Sequence, residues 1–263
     1  MSNVIAVANQ KGGVGKTTTC INLAASLAAT RRRVLVVDMD PQGNATMGSG
    51  VEKRNLKRSA YDVVLEECAP ADAIQRIEKG GFDLLPANGD LTAAEVKLMR
   101  EFGRESRLRT ALEPVFEQYD YILIDCPPSL NMLTVNALAA AGGVLIPMQC
   151  EYYALEGLSA LLDTIEQIRK AVNPELEISG LLRTMFDPRN NLANEVSAQL
   201  IMHFENKVYR TMIPRNVRLA EAPSYGVPAL IHDKNSRGAL AYLALAGEIL
   251  RRQEKEATAA SAG

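Results

Sequence analysis

The chain has 263 residues, 47% of them apolar, which is enough for one large α/β domain with a substantial core. Its net charge of -2 excludes a bulk basic surface, so any attraction to a polyanion has to come from local clustering. The four cysteines (Cys20, Cys68, Cys126, Cys150) lack a C-x-x-C and read as thiols of a reducing compartment. No stretch approaches the ~18 apolar residues of a membrane span and no export leader is visible, so a cytoplasmic protein without membrane contact is expected.

The first predicted strand, Val4 to Ala8, runs into Lys11-Gly12-Gly13-Val14-Gly15-Lys16-Thr17-Thr18, and a helical segment, Cys20 to Ala29, follows. Glycines there let consecutive backbone N–H groups and the positive end of the helix converge on phosphate oxygens, while Lys16 supplies a cation and Thr17 a magnesium-facing hydroxyl. The common pattern G-x-x-x-x-G-K-[ST] requires glycine at position 10, where this chain has Gln10, and a second lysine, Lys11, stands at the mouth of the loop. Lys11 reads either as a solvated loop lysine or as a group reaching across a symmetric interface to a second subunit's nucleotide.

The second strand, Val34 to Val37, ends in Asp38-Met39-Asp40-Pro41-Gln42-Gly43. Residues 51–117 are the most helical and charged part, an elaboration with helices at Ala93 to Met99 and Ser106 to Phe116 around a strand at Phe82 to Leu85. The strand Tyr121 to Ile124 ends in Asp125-Cys126-Pro127-Pro128-Ser129. An aspartate at a strand end is often a turn former. Here three acids, Asp38, Asp40 and Asp125, stand at the carboxyl edge from which the phosphate loop departs, so they can converge on one magnesium–phosphate cluster.

Further strands are predicted at Val144 to Met148, Ile178 to Leu182 and Val208 to Ile213, with an amphipathic helix through Leu155, Leu158, Leu161, Leu162, Ile165 and Ile168. Strands alternating with helices imply a mostly parallel, doubly wound sheet flanked by helices in a single domain. Pro214 and Asn216 after the last strand suit packing and hydrogen bonding to a base, although on spacing alone a plain turn is the better reading. Arg189 and Arg218 read as surface arginines on spacing alone. His203 and His232 are isolated, so no zinc site is expected. Tyr242 to Arg252 fits a last amphipathic helix, and 254–263, small and polar, is expected to fray as a flexible tail after a domain of residues 1–253.

Together, K-G-G-V-G-K-T-T at 11–18, V-D-M-D-P-Q-G-N-A-T at 37–46, L-I-D-C-P-P-S at 123–129, Q-C-E-Y-Y-A-L-E-G at 149–157 and I-P-R-N-V-R-L-A-E-A-P-S-Y-G at 213–226 resemble the chromosomal ParA-type (Soj-like) partitioning ATPases of the deviant Walker A class of P-loop NTPases. The resemblance implies ATP and Mg2+ as cofactors, an ATP-dependent sandwich homodimer, sequence-independent binding to double-stranded DNA of the nucleoid, and weak ATPase activity stimulated by a ParB-like centromere-binding partner. It further implies that Lys16 binds the β and γ phosphates within a loop of Gly12, Gly13, Val14, Gly15, Thr17 and Thr18, and that Lys11 reaches the partner subunit's phosphates. Thr17 would ligate magnesium directly, Asp38 and Asp125 through water, and Asp40 would orient the attacking water. Pro214 and Asn216 would contact adenine, and Arg189 and Arg218 would contact DNA. The competing expectation is a MinD-like membrane-cycling division ATPase, which would share the loop and both Asp motifs but needs a terminal amphipathic anchor.

Overall fold

Along the first strand, Val4 and Ala6 point into one hydrophobic layer and Ile5 and Val7 into the other, as a strand covered on both faces requires. The computed structural model describes residues 3–152 and 154–262 and contains eight strands in one sheet: β1 (Asn3–Val7), β2 (Val34–Asp38), β3 (Gln75–Ile77), β4 (Phe82–Leu85), β5 (Tyr121–Asp125), β6 (Gly143–Gln149), β7 (Glu177–Phe186) and β8 (Val208–Pro214). Their spatial order is β3-β4-β2-β5-β1-β6-β7-β8, and every neighbouring pair is parallel except β3 with β4. Sequence reading found the seven long strands and missed β3, whose three residues are too few for an alternating pattern to register.

Helices Lys16–Ala29 and Arg237–Ala262 cover one face, burying Cys20, Leu23 and Leu27 with Tyr242, Leu245 and Ile249 against Val36, Leu123 and Leu145. The opposite face carries helices Met132–Ala140, Ala154–Ala171 and Asn191–Phe204, whose Leu133, Leu158, Leu161, Ile165 and Leu200 pack on Val37, Ile124 and Ile146. The 51–117 region is built into this second layer, because Val63, Leu91, Leu98, Leu108 and Leu112 are all wholly buried in the same core.

The last helix spans Arg237–Ala262 and so takes in most of the segment expected to fray. Ala, Glu, Lys and Gln are among the better helix formers, and neither glycine nor proline interrupts the run from Arg251 to Ala262. This helix also guards the exposed edge of the sheet: the Glu248 carboxylate accepts the backbone N–H groups of Arg210 and Thr211 on β8, and Arg252 donates to Val208 O.

The register sets the site. Val7 on β1 and Asp38 on β2 both pair with Asp125 on β5, so the three strands end level with one another. From β1 the chain crosses to β2 on one side and later places β6, β7 and β8 on the other, and the crevice at such a switch point is where open α/β sheets bind ligands.

Candidate functional site

The loop after β1 is wound by two glycines with positive φ, Gly13 at 74° and Gly15 at 91°. A Cβ on Gly12 or Gly13 would meet nothing within 4 Å, so this backbone faces open space. Gly15 precedes helix Lys16–Ala29 and provides no side-chain cap, which leaves the first N–H groups of a 14-residue helix available to an anion. The loop is tied down from outside: Thr184 Oγ1 on β7 donates to Val14 O at 2.8 Å, and Asn9 donates through Nδ2 to Pro147 O at 2.8 Å and accepts from Lys11 N at 2.9 Å.

Lys16 is 7% exposed and its Nζ donates to Lys11 O at 3.3 Å. Burial pulls its pKa down, and the nearby Asp125 carboxylate is the main opposing influence. Thr17 Oγ1 donates to Asp125 Oδ2 at 2.7 Å. Asp125 is wholly buried, and its other oxygen, Oδ1, has no hydrogen-bond partner. Burial, and then the neighbouring Asp38, push the Asp125 carboxyl well above the ordinary carboxylate range. Two buried acids at adjacent strand ends, one with an orphaned oxygen and a hydroxyl beside it, are what a hydrated divalent cation would compensate. Among the described residues no three His, Cys, Asp or Glu side chains form a ready metal cage, so such an ion would depend on the Thr17 hydroxyl, phosphate oxygens and water.

Asp38 is differently engaged. Its Oδ2 accepts both Thr46 N (2.8 Å) and Thr46 Oγ1 (2.7 Å), and its Oδ1 accepts Asp40 N at 3.2 Å. Burial still raises its pKa against those hydrogen bonds. Asp38 therefore holds the loop that presents Asp40. Asp40 itself is 7% exposed, accepts Gln42 N through Oδ1 at 2.9 Å, and has an Oδ2 free of protein hydrogen bonds. Lys53 donates to Gln42 O, and Thr46 Oγ1 accepts Ala87 N at 2.8 Å, fastening this loop at both ends. Thr46, Thr184, Asn9 and Lys53 were not singled out from the sequence, since their importance lies in contacts made across the fold.

Lys11, free to point outward by its place in the loop, is paired within its own chain: its Nζ meets Glu151 Oε2 at 2.5 Å, both side chains being 44% exposed. Glu151 lies in the 149–157 block, which is the signal that could have identified it. Pro214 ends β8, and Asn216 caps helix Val217–Glu221 by accepting Arg218 N at 3.0 Å, so its oxygen serves the turn while its amide nitrogen has no partner among the described residues. Arg189 forms a two-pronged pair with Asp187 (3.0 and 2.8 Å), and Arg218 pairs with Glu221 at 2.8 Å and Asp233 at 3.4 Å. Phe186 and Pro214 pair across β7 and β8, so the segments bearing these arginines leave from neighbouring strand ends. All four cysteines are free thiols, three of them buried, and Cys126 is pushed up strongly by burial beside Asp125. No helix among the described residues is long and apolar enough to cross a membrane.

This arrangement has close counterparts. The family model described as an AAA domain matches residues 2–178. The sporulation initiation inhibitor protein Soj of Bacillus subtilis is 52% identical over 249 residues, covering 95% of this chain and 98% of that protein. The chromosome partitioning protein ParA of Caulobacter vibrioides is 50% identical over 260 residues, covering 98% and 97%. Among solved structures, cobyrinic acid a,c-diamide synthase from Mycobacterium smegmatis with bound ADP and magnesium superposes with a TM-score of 0.85 at 39% identity, covering 97% of this chain and 96% of that one. A loop with two lysines at 11 and 16, set beside aspartates at the ends of β2 and β5, and relatives of this identity along nearly the whole chain place the protein in the ParA/Soj/MinD family of deviant Walker A P-loop NTPases.

Proposed function

We propose that this protein is a partitioning ATPase: it binds ATP with magnesium, pairs with a second copy through the nucleotide, binds DNA without sequence preference in that state, and is released when hydrolysis is stimulated by a ParB-like partner. The observation that carries this reading is the two-lysine loop, with Lys16 buried against Asp125 and Lys11 held at the surface by a single exposed ion pair. Lys16 and the backbone N–H groups of residues 12–17 take the β and γ phosphates, with Thr17 and Asp125 placed for the metal and its water shell. Magnesium, held by Thr17 and through water by Asp38 and Asp125, would supply positive charge to the phosphates. Asp40 directs its unengaged Oδ2 to the attacking water, whose oxygen forms the new P–O bond as the bond to the β-phosphate oxygen breaks, its proton passing to the released phosphate.

In the paired state Lys11 leaves Glu151 for the partner's phosphates. Exposed ion pairs are worth at most about 1 kcal/mol, so exchange for a phosphate is favourable. Pro214 and the Asn216 amide contact the adenine. Arg189 and Arg218 exchange their own acids for DNA phosphates, and two-fold pairing doubles their number. No arginine lies within the phosphate motifs, so unassisted turnover is slow and the partner accelerates it. The site of action is the cytoplasm, on the nucleoid.

The competing reading is a MinD-like membrane-cycling ATPase, which would bind a lipid surface in its ATP state. Co-sedimentation with random-sequence duplex DNA against anionic liposomes, each with ATP, ADP or no nucleotide, separates the two. ATP-dependent pelleting with DNA alone is the expected result; ATP-dependent pelleting with liposomes would reverse the assignment.

A further inference from the structure

Residues 52–62 hold four cations, Lys53, Arg54, Lys57 and Arg58, against two carboxylates, Glu52 and Asp62. Two of the cations are engaged: Lys53 Nζ is on Gln42 O at 2.5 Å, and Arg58 meets Asp62 at 2.9 Å. Arg54 and Lys57 are exposed, and neither side chain makes an ion pair or hydrogen bond with the described residues. The contrast with Arg189 and Arg218 is electrostatic. Those arginines sit against Asp187, Glu221 and Asp233, so the field they project is small, whereas Arg54 and Lys57 offer uncompensated charge.

Backbone packing says where this charge lies. Gly50 and Gly226 press against each other so closely that a Cβ on Gly50 would come within 2.7 Å of Gly226 O, and one on Gly226 within 2.6 Å of Gly50 Cα; both have positive φ, 85° and 63°. A few residues beyond this contact, the basic run leaves the block that carries Arg218, and Lys53 fastens the run to the Asp40 loop. No acid between Gly50 and Ser59 other than Glu52 faces the run along its own chain.

We propose that Arg54 and Lys57 contact the phosphate backbone of duplex DNA and extend the surface that begins at Arg218. This inference rests on the DNA-binding dimer proposed above. The exposed, uncompensated charge of the two side chains fits a polyanion read by its phosphates. In a two-fold dimer the pair becomes four cations.

The test is fluorescence anisotropy of a random-sequence duplex with ATP over a range of salt, comparing the wild type with Arg54→Ala/Lys57→Ala and Arg54→Glu/Lys57→Glu. Light scattering in ATP reports whether each variant folds and pairs, and the alanine pair decides the matter if the glutamate pair does not. With one phosphate released per lost cation, the slope of log K against log salt becomes shallower by about 3.6 for the alanine dimer, and binding near 0.1 M salt weakens by more than about tenfold. Wild-type affinity and slope in a variant that still pairs would overturn the assignment while leaving the dimer reading intact. Loss of binding to phosphatidylglycerol vesicles with DNA binding unchanged would overturn it in favour of a lipid surface. A wild-type protein that ignores DNA in ATP would remove both this surface and the function on which it rests.

Discussion

At the ends of β2 and β5, Asp38 and Asp125 are wholly buried, while in the segments after β7 and β8, Arg189 and Arg218 are exposed and paired with acids of their own chain. Both groups occupy the carboxyl edge of one sheet. The buried acids are held by short hydrogen bonds from Thr46 and Thr17, and burial raises their pKa values, so this region bears a cost that nucleotide and metal would relieve. The exposed arginines are held by pairs that solvent screens, and they can change partners with little loss. On the proposed function, one region holds a fixed ligand and the other an exchangeable one.

The comparison breaks most sharply at Lys16. Lys16→Ala removes a buried charge-assisted contact to phosphate and should weaken nucleotide binding by roughly 3 kcal/mol, about 100-fold, abolishing ATP-driven pairing as well. Lys11→Ala should keep much of the nucleotide affinity and lose only the pairing; titration with a fluorescent ATP analogue and light scattering distinguish the two. If both variants bind nucleotide equally, the division of labour between the lysines is wrong.

Next in size is Asp40→Ala. Without the water-directing carboxylate, turnover should fall by about 10²- to 10⁴-fold while ATP is still bound and the dimer persists. Rapid phosphate release by this variant, measured alongside its elution profile, would take Asp40 out of that role.

Charge reversal at Arg218 tests the exchangeable region. Arg218→Glu should weaken DNA binding by more than about tenfold, because a repelling charge replaces a salt-dependent contact. Its thermal midpoint should stay near that of the wild type, since an exposed pair contributes at most about 1 kcal/mol. A large loss of stability would mean that Arg218 is a structural residue.

Asp125→Asn sharpens the buried side through pH. A carboxyl whose folded pKa is raised is protonated in both states at low pH, but as pH rises the unfolded chain ionises first. The charge of Asp125 therefore costs nucleotide-free stability progressively from the ordinary carboxylate range upward. Nucleotide-free Asp125→Asn should melt above the wild type at neutral pH, and the gap should close towards about pH 3, where both forms are neutral. The same variant should lose most of the extra stability conferred by magnesium with ATP. Scanning calorimetry across pH decides it, and a gap independent of pH would contradict the proposed cause.

The smallest expected effect is at Glu151. Glu151→Gln frees Lys11 from an exposed pair worth at most about 1 kcal/mol, so the ATP-dependent dimer should form at about two- to fivefold lower protein concentration. A shift to higher concentration would show that Glu151 helps to place Lys11 for pairing.

Much of this was legible in order of residues alone. Seven of the strands carry runs rich in Val, Ile and Leu, and the phosphate loop is a local device: glycines, two lysines and a helix start within eight residues. Such features depend on near neighbours in the chain, so composition and spacing suffice to place them. The helical course of Arg237–Ala262 is also local, since none of its later residues stops a helix, although their small polar character reads equally as a tail. Three contacts were decided by tertiary structure. Asp38 turned out to hold the Asp40 loop through Thr46, and Lys11 to be parked on Glu151, 140 residues away. The closeness of Gly50 to Gly226, which draws the basic run at 53–58 towards the arginines after β8, is likewise invisible in the sequence. The physical reason is common to all three contacts: a hydrogen bond, an ion pair or a backbone contact needs a distance, and residues far apart in the chain acquire one only when the sheet has set the order and register of its strands.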